Sequence, residues 1–238
     1  MKSMTQTVAR VCSIAIIAIL MTGAVVRPAR ADIERFAYTY EWFTPIKGEL
    51  EIGVKHTQSS SNNLQDQFEA EYGVTDRYAI EAYANYLKDG GPYKYNGFQI
   101  EQRYRFGDYA HKKLLTAAYF EYEKLVDEHG ELEAKAIFQY DPSSKSTFAL
   151  NVIVTRPVME DAKNEIGYSF GAAYFADRYD RYWYGVEAKG DFTSNQHFVG
   201  PSVGCALDNR THLTATFAKV IAGPKGDEFR VLLSREIN

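Results

Sequence analysis

The amino-acid sequence predicts an all-β fold, a transmembrane antiparallel up-and-down β-barrel of about twelve strands. After an apolar leader, stretches of about ten residues alternate apolar with polar side chains, as residues 67–74 and 97–106 show. Acidic and basic residues recur on the polar side of this alternation. Beyond the leader, no apolar run approaches the length of a membrane-spanning helix, so closed strands are the way in which this chain would cross a membrane.

The leader, residues 1–31, has the three parts of a secretory signal peptide. Lys2 and Arg10 give it a basic start, residues 11–26 are an apolar run, and Ala29-Arg30-Ala31 matches a small-x-small cleavage site. The alternative is an N-terminal membrane anchor, for which the apolar run is short. We therefore expect cleavage after this site.

Charge and cysteine content exclude several classes of protein. The leader has four basic and no acidic residues, so its removal takes the formal net charge from −4 to −8. Such an acidic exported protein is a poor candidate for binding nucleic acid. Cys205 is alone after the leader, which rules out an intramolecular disulfide and a cysteine-rich metal site. No cofactor is predicted.

The alternation divides the remaining chain into an arm and a barrel. Residues 48–238 are predicted to form the transmembrane barrel, without a second domain. Residues 32–47 contain an aromatic alternation that could be a further strand, but an odd strand would put the C-terminus on the wrong side. They are therefore interpreted as a periplasmic arm or an extra stretch at the barrel floor. The predicted strands are 48–57, 64–74, 77–88, 96–106, 113–125, 131–141, 146–156, 165–175, 180–191, 197–206, 211–221 and 227–236.

The connections between these strands alternate in kind. Tight polar turns are predicted at 75–77, 107–109, 142–145, 177–179 and 208–210, and longer or looser loops at the other end. In outer-membrane barrels the short turns face the periplasm and the long loops face outward. This alternation predicts the orientation of the barrel.

The apolar positions assign each strand an outward and an inward face. Leu50, Ile52 and Val54 point outward, which turns the charged positions between them inward. An Arg in place of outward Leu150 should then cost about 2–4 kcal/mol, whereas an Arg at Asn151 should be tolerated. The predicted pore-lining residues are Glu49, Glu51, Lys55, Glu69, Glu71, Glu81, Glu101, Arg103, Arg105, Glu133, Lys135, Glu187, Lys189 and Arg230.

Several short motifs carry a resemblance to a known group of proteins. They are the turn Gly73-Val74-Thr75-Asp76-Arg77-Tyr78, residues 34–41, and Pro45-Ile46-Lys47-Gly48-Glu49. With the leader and the inward glutamates, the whole mature chain resembles porin-like and transporter-like outer-membrane barrels of Gram-negative bacteria. The resemblance implies an outer-membrane location and contact with outer-membrane lipid. It names no substrate and carries no catalytic residue.

These features predict a porin-like passive channel for small polar solutes or ions. Charged groups inside a barrel must pair with one another or stand in water, and twelve strands leave a narrow interior. On the strands with a regular alternation, the inward carboxylates outnumber the inward Lys and Arg side chains. The channel is therefore expected to favour cations weakly.

Other functions are weaker alternatives. An outer-membrane lipid or peptide hydrolase needs a histidine held against a hydroxyl, but no histidine stands in a known catalytic motif. His56, His129 and His197 could share a rim metal site with loop carboxylates, although their spacing matches no motif. A structural barrel without transport would need larger recognition loops. A lipocalin-type barrel would need an apolar lumen and a polar exterior, the inverse of this pattern.

Overall fold

The computed structural model of the chain describes residues 34–59, 63–176, 181–224 and 226–237. The predicted signal peptide, residues 1–31, lies outside the described residues. The described chain forms twelve β-strands. They are β1 Leu50–Ser59, β2 Leu64–Thr75, β3 Tyr78–Lys88, β4 Lys94–Phe106, β5 Leu114–Leu125, β6 Gly130–Ser143, β7 Ser146–Pro157, β8 Glu165–Phe175, β9 Tyr182–Asp191, β10 Gln196–Ala206, β11 Thr211–Ala222 and β12 Glu228–Glu236.

The strands close into one antiparallel barrel. Each strand pairs with its neighbours in sequence, and β1 closes the barrel by pairing with β12 from Glu51 opposite Glu236 to Ser59 opposite Glu228. The predicted fold class and strand number are confirmed. In the described part of the chain, no helix is long and apolar enough to cross a membrane.

The two faces of the wall differ as the alternation predicts. On β7, Phe148, Leu150 and Val152 are exposed on the outer face, whereas Ala149 and Asn151 between them are buried. The same alternation gives β4 an outer face with Phe98 and Ile100 in its middle. The exterior is therefore apolar and the interior polar, as a barrel in lipid requires.

This assignment predicts the cost of a charge on the outer face. Leu150→Arg, in the middle of β7, should destabilise the folded barrel by about 2–4 kcal/mol, measured by urea unfolding in lipid vesicles. The control is Thr155→Arg on the inner face, where the hydroxyl donates a hydrogen bond to Glu133 Oε2 at 3.3 Å and an Arg could pair with that carboxylate. Equal destabilisation by both variants would contradict the assignment.

The expectation that an Arg at Asn151 is tolerated is wrong, because this position is not open. Asn151 has no solvent-exposed surface, and its amide bonds the backbone of Tyr40 and the hydroxyl of Ser169. A longer cationic side chain would collide with these partners, so Asn151 is unsuitable as a control.

The ends of the barrel are less distinct than predicted. We call the end with the β2–β3, β4–β5, β6–β7, β8–β9 and β10–β11 connections the turn end, and the opposite end the loop end. The predicted tight turn at 107–109 belongs to a longer connection that spans residues 107–113. It folds against β6, because the Tyr109 hydroxyl and the Lys112 amide both donate hydrogen bonds to Asp141, at 3.0 and 2.9 Å.

Candidate functional site

The interior of the barrel is the candidate functional site. Of the fourteen predicted pore-lining residues, Glu49 lies outside β1, in a turn where its carboxylate accepts a hydrogen bond from the Ile46 amide at 2.8 Å. The remaining thirteen occupy inward positions on the strands. The buried members are Lys55, Glu69, Glu71, Glu81, Glu101, Arg103, Arg105 and Glu187. The half-buried members are Glu51, Glu133, Lys135, Lys189 and Arg230.

The strand register brings glutamates together in a way that the sequence pattern did not reveal. Seven glutamates stand directly opposite one another across seven adjacent strands, from β12 through β1 to β6. We call this set the glutamate row. In order around the wall it consists of Glu236, Glu51, Glu71, Glu81, Glu101, Glu121 and Glu133. Like charges directly opposite each other repel, so the row requires cations or protons.

Cationic side chains lie against parts of this row. The guanidinium of Arg103 is 2.7 Å from Glu71, 3.9 Å from Glu81 and 3.6 Å from Glu101. Lys135 Nζ lies 2.7 Å from the Glu133 carboxylate. Lys55 pairs at 2.7 Å with Glu69, which lies beside the row on β2. Among the described residues, the seven carboxylates of the row and Glu69 therefore outnumber these three cations.

Residues 34–47, which we call the lumen segment, contain no strand, and most of the segment is buried inside the barrel, with Ile46 and Lys47 exposed at its end. The Tyr40 amide donates a hydrogen bond to Asn151 of β7 at 2.8 Å, and the Tyr40 hydroxyl donates one to Glu101 of β4 at 3.1 Å. The Ala37 amide donates to Glu187 of β9 at 2.9 Å. Because its partners lie on separate parts of the wall, the segment crosses the interior. The described part of the predicted arm thus lies largely within the barrel and takes no part in the strand ladders.

Glu187 holds the innermost part of the lumen segment. Its carboxylate accepts hydrogen bonds from three successive backbone amides, those of Ala37, Tyr38 and Thr39, at 2.9, 2.8 and 3.1 Å. Successive amides that converge in this way form an anion-binding concavity. Thr216 also donates its hydroxyl to Glu187, at 2.5 Å. The carboxylate thereby satisfies a stretch of backbone that has no strand partner.

The lumen segment is folded back on itself. Arg35 donates hydrogen bonds to the Glu41 carboxylate from its backbone amide, at 2.8 Å, and from its Nε, at 2.7 Å. Trp183, near the turn end of β9, donates its indole N–H to the Arg35 carbonyl at 3.2 Å. At the other limb, the Gly48 amide donates to the Gly73 carbonyl at 2.8 Å, beside the β2–β3 connection. Both limbs therefore meet the wall near the turn end.

Aromatic side chains anchor both limbs. Trp42 is 2% exposed and packs in a cluster with Leu115, Ala117, Tyr119 and Ile137 of β5 and β6. Its backbone amide also donates a hydrogen bond to Gln139 at 2.7 Å. These inward apolar side chains would face water in an empty lumen, and Trp42 removes them from it.

Phe36 occupies a second apolar site, on the neighbouring strands β7 and β8. It packs with Ala149 and Ala173, over a position on β8 that has no side chain, Gly171. A Cβ atom at Gly171 would lie 2.6 Å from the Phe36 ring, so glycine is what allows the ring to approach the wall this closely.

Lumen cations lie over the tyrosine rings of the segment. Lys135 Nζ is 4.0 Å from the Tyr40 ring centre, and Lys189 Nζ is 4.0 Å from that of Tyr38. Arg230 also lies over Tyr38, at 4.3 Å. A cavity of about 40 Å³ remains beside the segment, bordered by side chains that include Lys55. This cavity has room for only a few water molecules.

Two of the histidines near the loop end, His56 and His197, have separate partners. His56 pairs with Asp66 on the outer face, and Asp66 also accepts a hydrogen bond from the Tyr93 hydroxyl at 2.7 Å. His197 stacks on Tyr168, with ring centres 5.8 Å apart. Within the described ranges, no group of three or more histidine, cysteine, aspartate or glutamate side chains is placed to hold a metal.

Comparisons with known proteins identify the fold. No family model matches the sequence, and no curated protein matches it. Among solved structures, the KdgM porin in complex with disordered oligogalacturonate has a TM-score of 0.63 and 10% identity, over 79% of this chain and 99% of that one. The NanC porin has a TM-score of 0.61 and 7% identity, over 79% and 100%. An outer-membrane channel from Pseudomonas putida F1 has a TM-score of 0.59 and 10% identity, over 84% and 98%. The chain therefore has the barrel fold of outer-membrane porins.

Proposed function

We propose that this protein is an outer-membrane, porin-like passive channel, narrow and weakly cation-favouring, for small polar solutes or ions. The apolar outer face supports contact with outer-membrane lipid, and the fold is shared with outer-membrane porins and channels. A polar, charged interior in a barrel of this size is suited to hydrated solutes rather than to apolar ligands.

The glutamate row is the single observation that carries the charge preference. Carboxylates on adjacent strands add their negative potential inside a lumen whose walls exclude water, which concentrates cations and repels anions. The row also bears on the class of solute. The KdgM porin has been solved with oligogalacturonate, a polyanion. Seven inward carboxylates would repel such a molecule, so this channel should pass cations and small neutral polar solutes in preference to acidic oligosaccharides.

Neutralising glutamates should test this preference. Replacing Glu69, Glu71 and Glu101 together by Gln removes the carboxylate that pairs with Lys55 and two of the three that lie near Arg103. Because both cations then remain without those partners, the reversal potential in a KCl gradient should move towards anion selectivity. Glu128→Gln, on an exposed loop, is the matched control and should change little. An unchanged reversal potential in the triple variant would mean that the row does not set selectivity.

The orientation of the barrel follows from the connection rule and is open to a labelling test. An epitope inserted at Ser59 or at Gly90, both at the loop end, should be reached by antibody on intact cells. One inserted at Ser143, at the turn end, should be reached only after the outer membrane is permeabilised. The reverse pattern would invert the orientation and leave the fold unchanged.

An outer-membrane hydrolase is the second candidate function, and the contacts of His56 at the loop end do not favour it. The carboxylate that orients His56 also binds the phenol of Tyr93, and the pair lies on the outer face of the wall. Solved structures that share the fold include porins, a channel and an outer-membrane protein. We therefore propose transport rather than catalysis.

A further inference from the structure

The lumen segment is separable from the wall. Each of the twelve strands is hydrogen-bonded on both sides to another strand, and residues 34–47 take no part in these ladders. Removing the segment from the interior would leave the strand pairing intact. The barrel thus does not depend on the segment for its closure.

The attachments of the segment are mainly polar contacts to side chains. Its backbone amides bond the carboxylate of Glu187, the amide of Asn151 and the amide of Gln139. Water can replace each of these partners once the lumen is hydrated, because the released carboxylate and amides would still face solvent. The two aromatic anchors, Phe36 and Trp42, add apolar contacts that favour the inserted position.

The geometry of the limbs gives the segment a way out. Residues 46–49 form a turn in which the Glu49 amide donates a hydrogen bond to the Ile46 carbonyl at 3.0 Å. Gly48 in this turn has φ +87°, a left-handed conformation that favours glycine. Since both limbs meet the wall near the turn end, rotation about this turn would carry the segment out through that mouth without threading it through the barrel.

From these observations we propose that residues 34–44 are a gate, latched into the lumen by Glu187, whose release towards the turn end opens the conducting path. This inference rests on the proposed channel function. With the gate inserted, the lumen is obstructed at the level of the glutamate row, since Tyr40 lies against both Glu101 and the Lys135 ammonium group. With the gate withdrawn, the glutamate row would line a water-filled path through the barrel.

Two variants weaken the gate by different contacts. Glu187→Gln removes the charge and presents an NH₂ group to backbone amides that are themselves donors. Gly171→Val places a side chain where the Phe36 ring now packs. Each should raise the open probability in planar bilayers by about tenfold or more, equivalent to about 1.4 kcal/mol. The control is Glu123→Gln, which removes an inward carboxylate that bonds Asn85 and Gln99 of the wall.

A chemical readout follows the gate independently of conductance. Thr39→Cys, in a Cys205→Ser background, places a thiol on a segment position that is now 4% exposed. Modification by a water-soluble thiol reagent should be slow in this background and about tenfold faster or more when Glu187→Gln or Gly171→Val is added. Retention of the fast-migrating unboiled band on gels shows that each variant is folded.

The outcomes separate the gate from the channel. Higher open probability and faster thiol modification in both gate variants, with neither change in Glu123→Gln, support the proposal. Conductance of the wild-type protein equal to that of both gate variants, with equal modification rates, would overturn the gate and leave the channel standing. Faster modification without conductance in any folded variant would overturn the channel function, and with it the conducting role of the gate.

Discussion

Replacing Arg103 by Ala is expected to destabilise the barrel by about 3–5 kcal/mol. Arg103 is 6% exposed and lies within 4 Å of Glu71, Glu81 and Glu101, which are themselves buried. It also lies over the Tyr40 ring and donates a hydrogen bond to the Phe43 carbonyl at 3.3 Å. Without this cation, three adjacent carboxylates would face one another and lack the guanidinium that lies close to all of them.

The matched control for Arg103 is an arginine in an exposed ion pair. Arg77 lies 2.7 Å from Asp108 at the turn end, where both side chains are largely exposed. Arg77→Ala should cost much less than Arg103→Ala, because exposed pairs are screened by water. Both losses can be measured by urea unfolding in lipid vesicles. Similar losses of unfolding free energy in the two variants would show that water in the interior screens the charge of Arg103. That result would contradict the role of Arg103 as the cation that compensates the buried glutamates of the row.

Replacing Trp42 by Ala should release the lumen segment from its strongest apolar anchor. Loss of a fully buried tryptophan side chain costs about 3–5 kcal/mol, and here the cost falls on insertion of the segment rather than on the strand ladders. Modification of a thiol at position 39 should therefore accelerate by about a hundredfold or more.

Phe148→Ala is the control for Trp42, because Phe148 is an aromatic side chain of the wall that faces outward and is 44% exposed. It should leave the modification rate nearly unchanged. If Trp42→Ala also left the rate unchanged, the apolar cluster would not be what holds the segment in place. The gate would then depend on its polar contacts and on the packing of Phe36.

The wall could be predicted from the sequence because one physical rule acts on every strand. Side chains alternate between lipid and lumen, so the positions of Leu150 and Val152 reveal the outer face without knowledge of the neighbouring strands. The inward direction of Glu121 also follows, once Ala117 and Tyr119 of the same strand are accepted as inward residues, as the structure places them.

The glutamate row could not be predicted in the same way. It depends on the register of seven strands, and a shift of any one pair by two residues preserves every face while breaking the row. Glu81 therefore looked like a separate inward charge in the sequence, although it stands opposite both Glu71 and Glu101.

The path of the lumen segment inside the barrel could not be predicted, because its alternating aromatic residues are also typical of a strand. Two residues of the wall nevertheless indicate that something apolar lies inside the barrel. Leu115 and Ile137 occupy inward positions, where large apolar side chains would be exposed to water in an open pore. Such residues require an apolar partner inside the barrel, and Trp42 is that partner.

The reversal potential in a KCl gradient across a planar bilayer is the most direct test of a carboxylate-lined channel. It should be measured for the wild-type protein and for Glu187→Gln, in which the gate is weakened. The account predicts cation selectivity in both, with more frequent openings in the variant. Anion selectivity in both would contradict it, because Arg103, Arg105 and Arg230 would then control the constriction in place of the glutamate row.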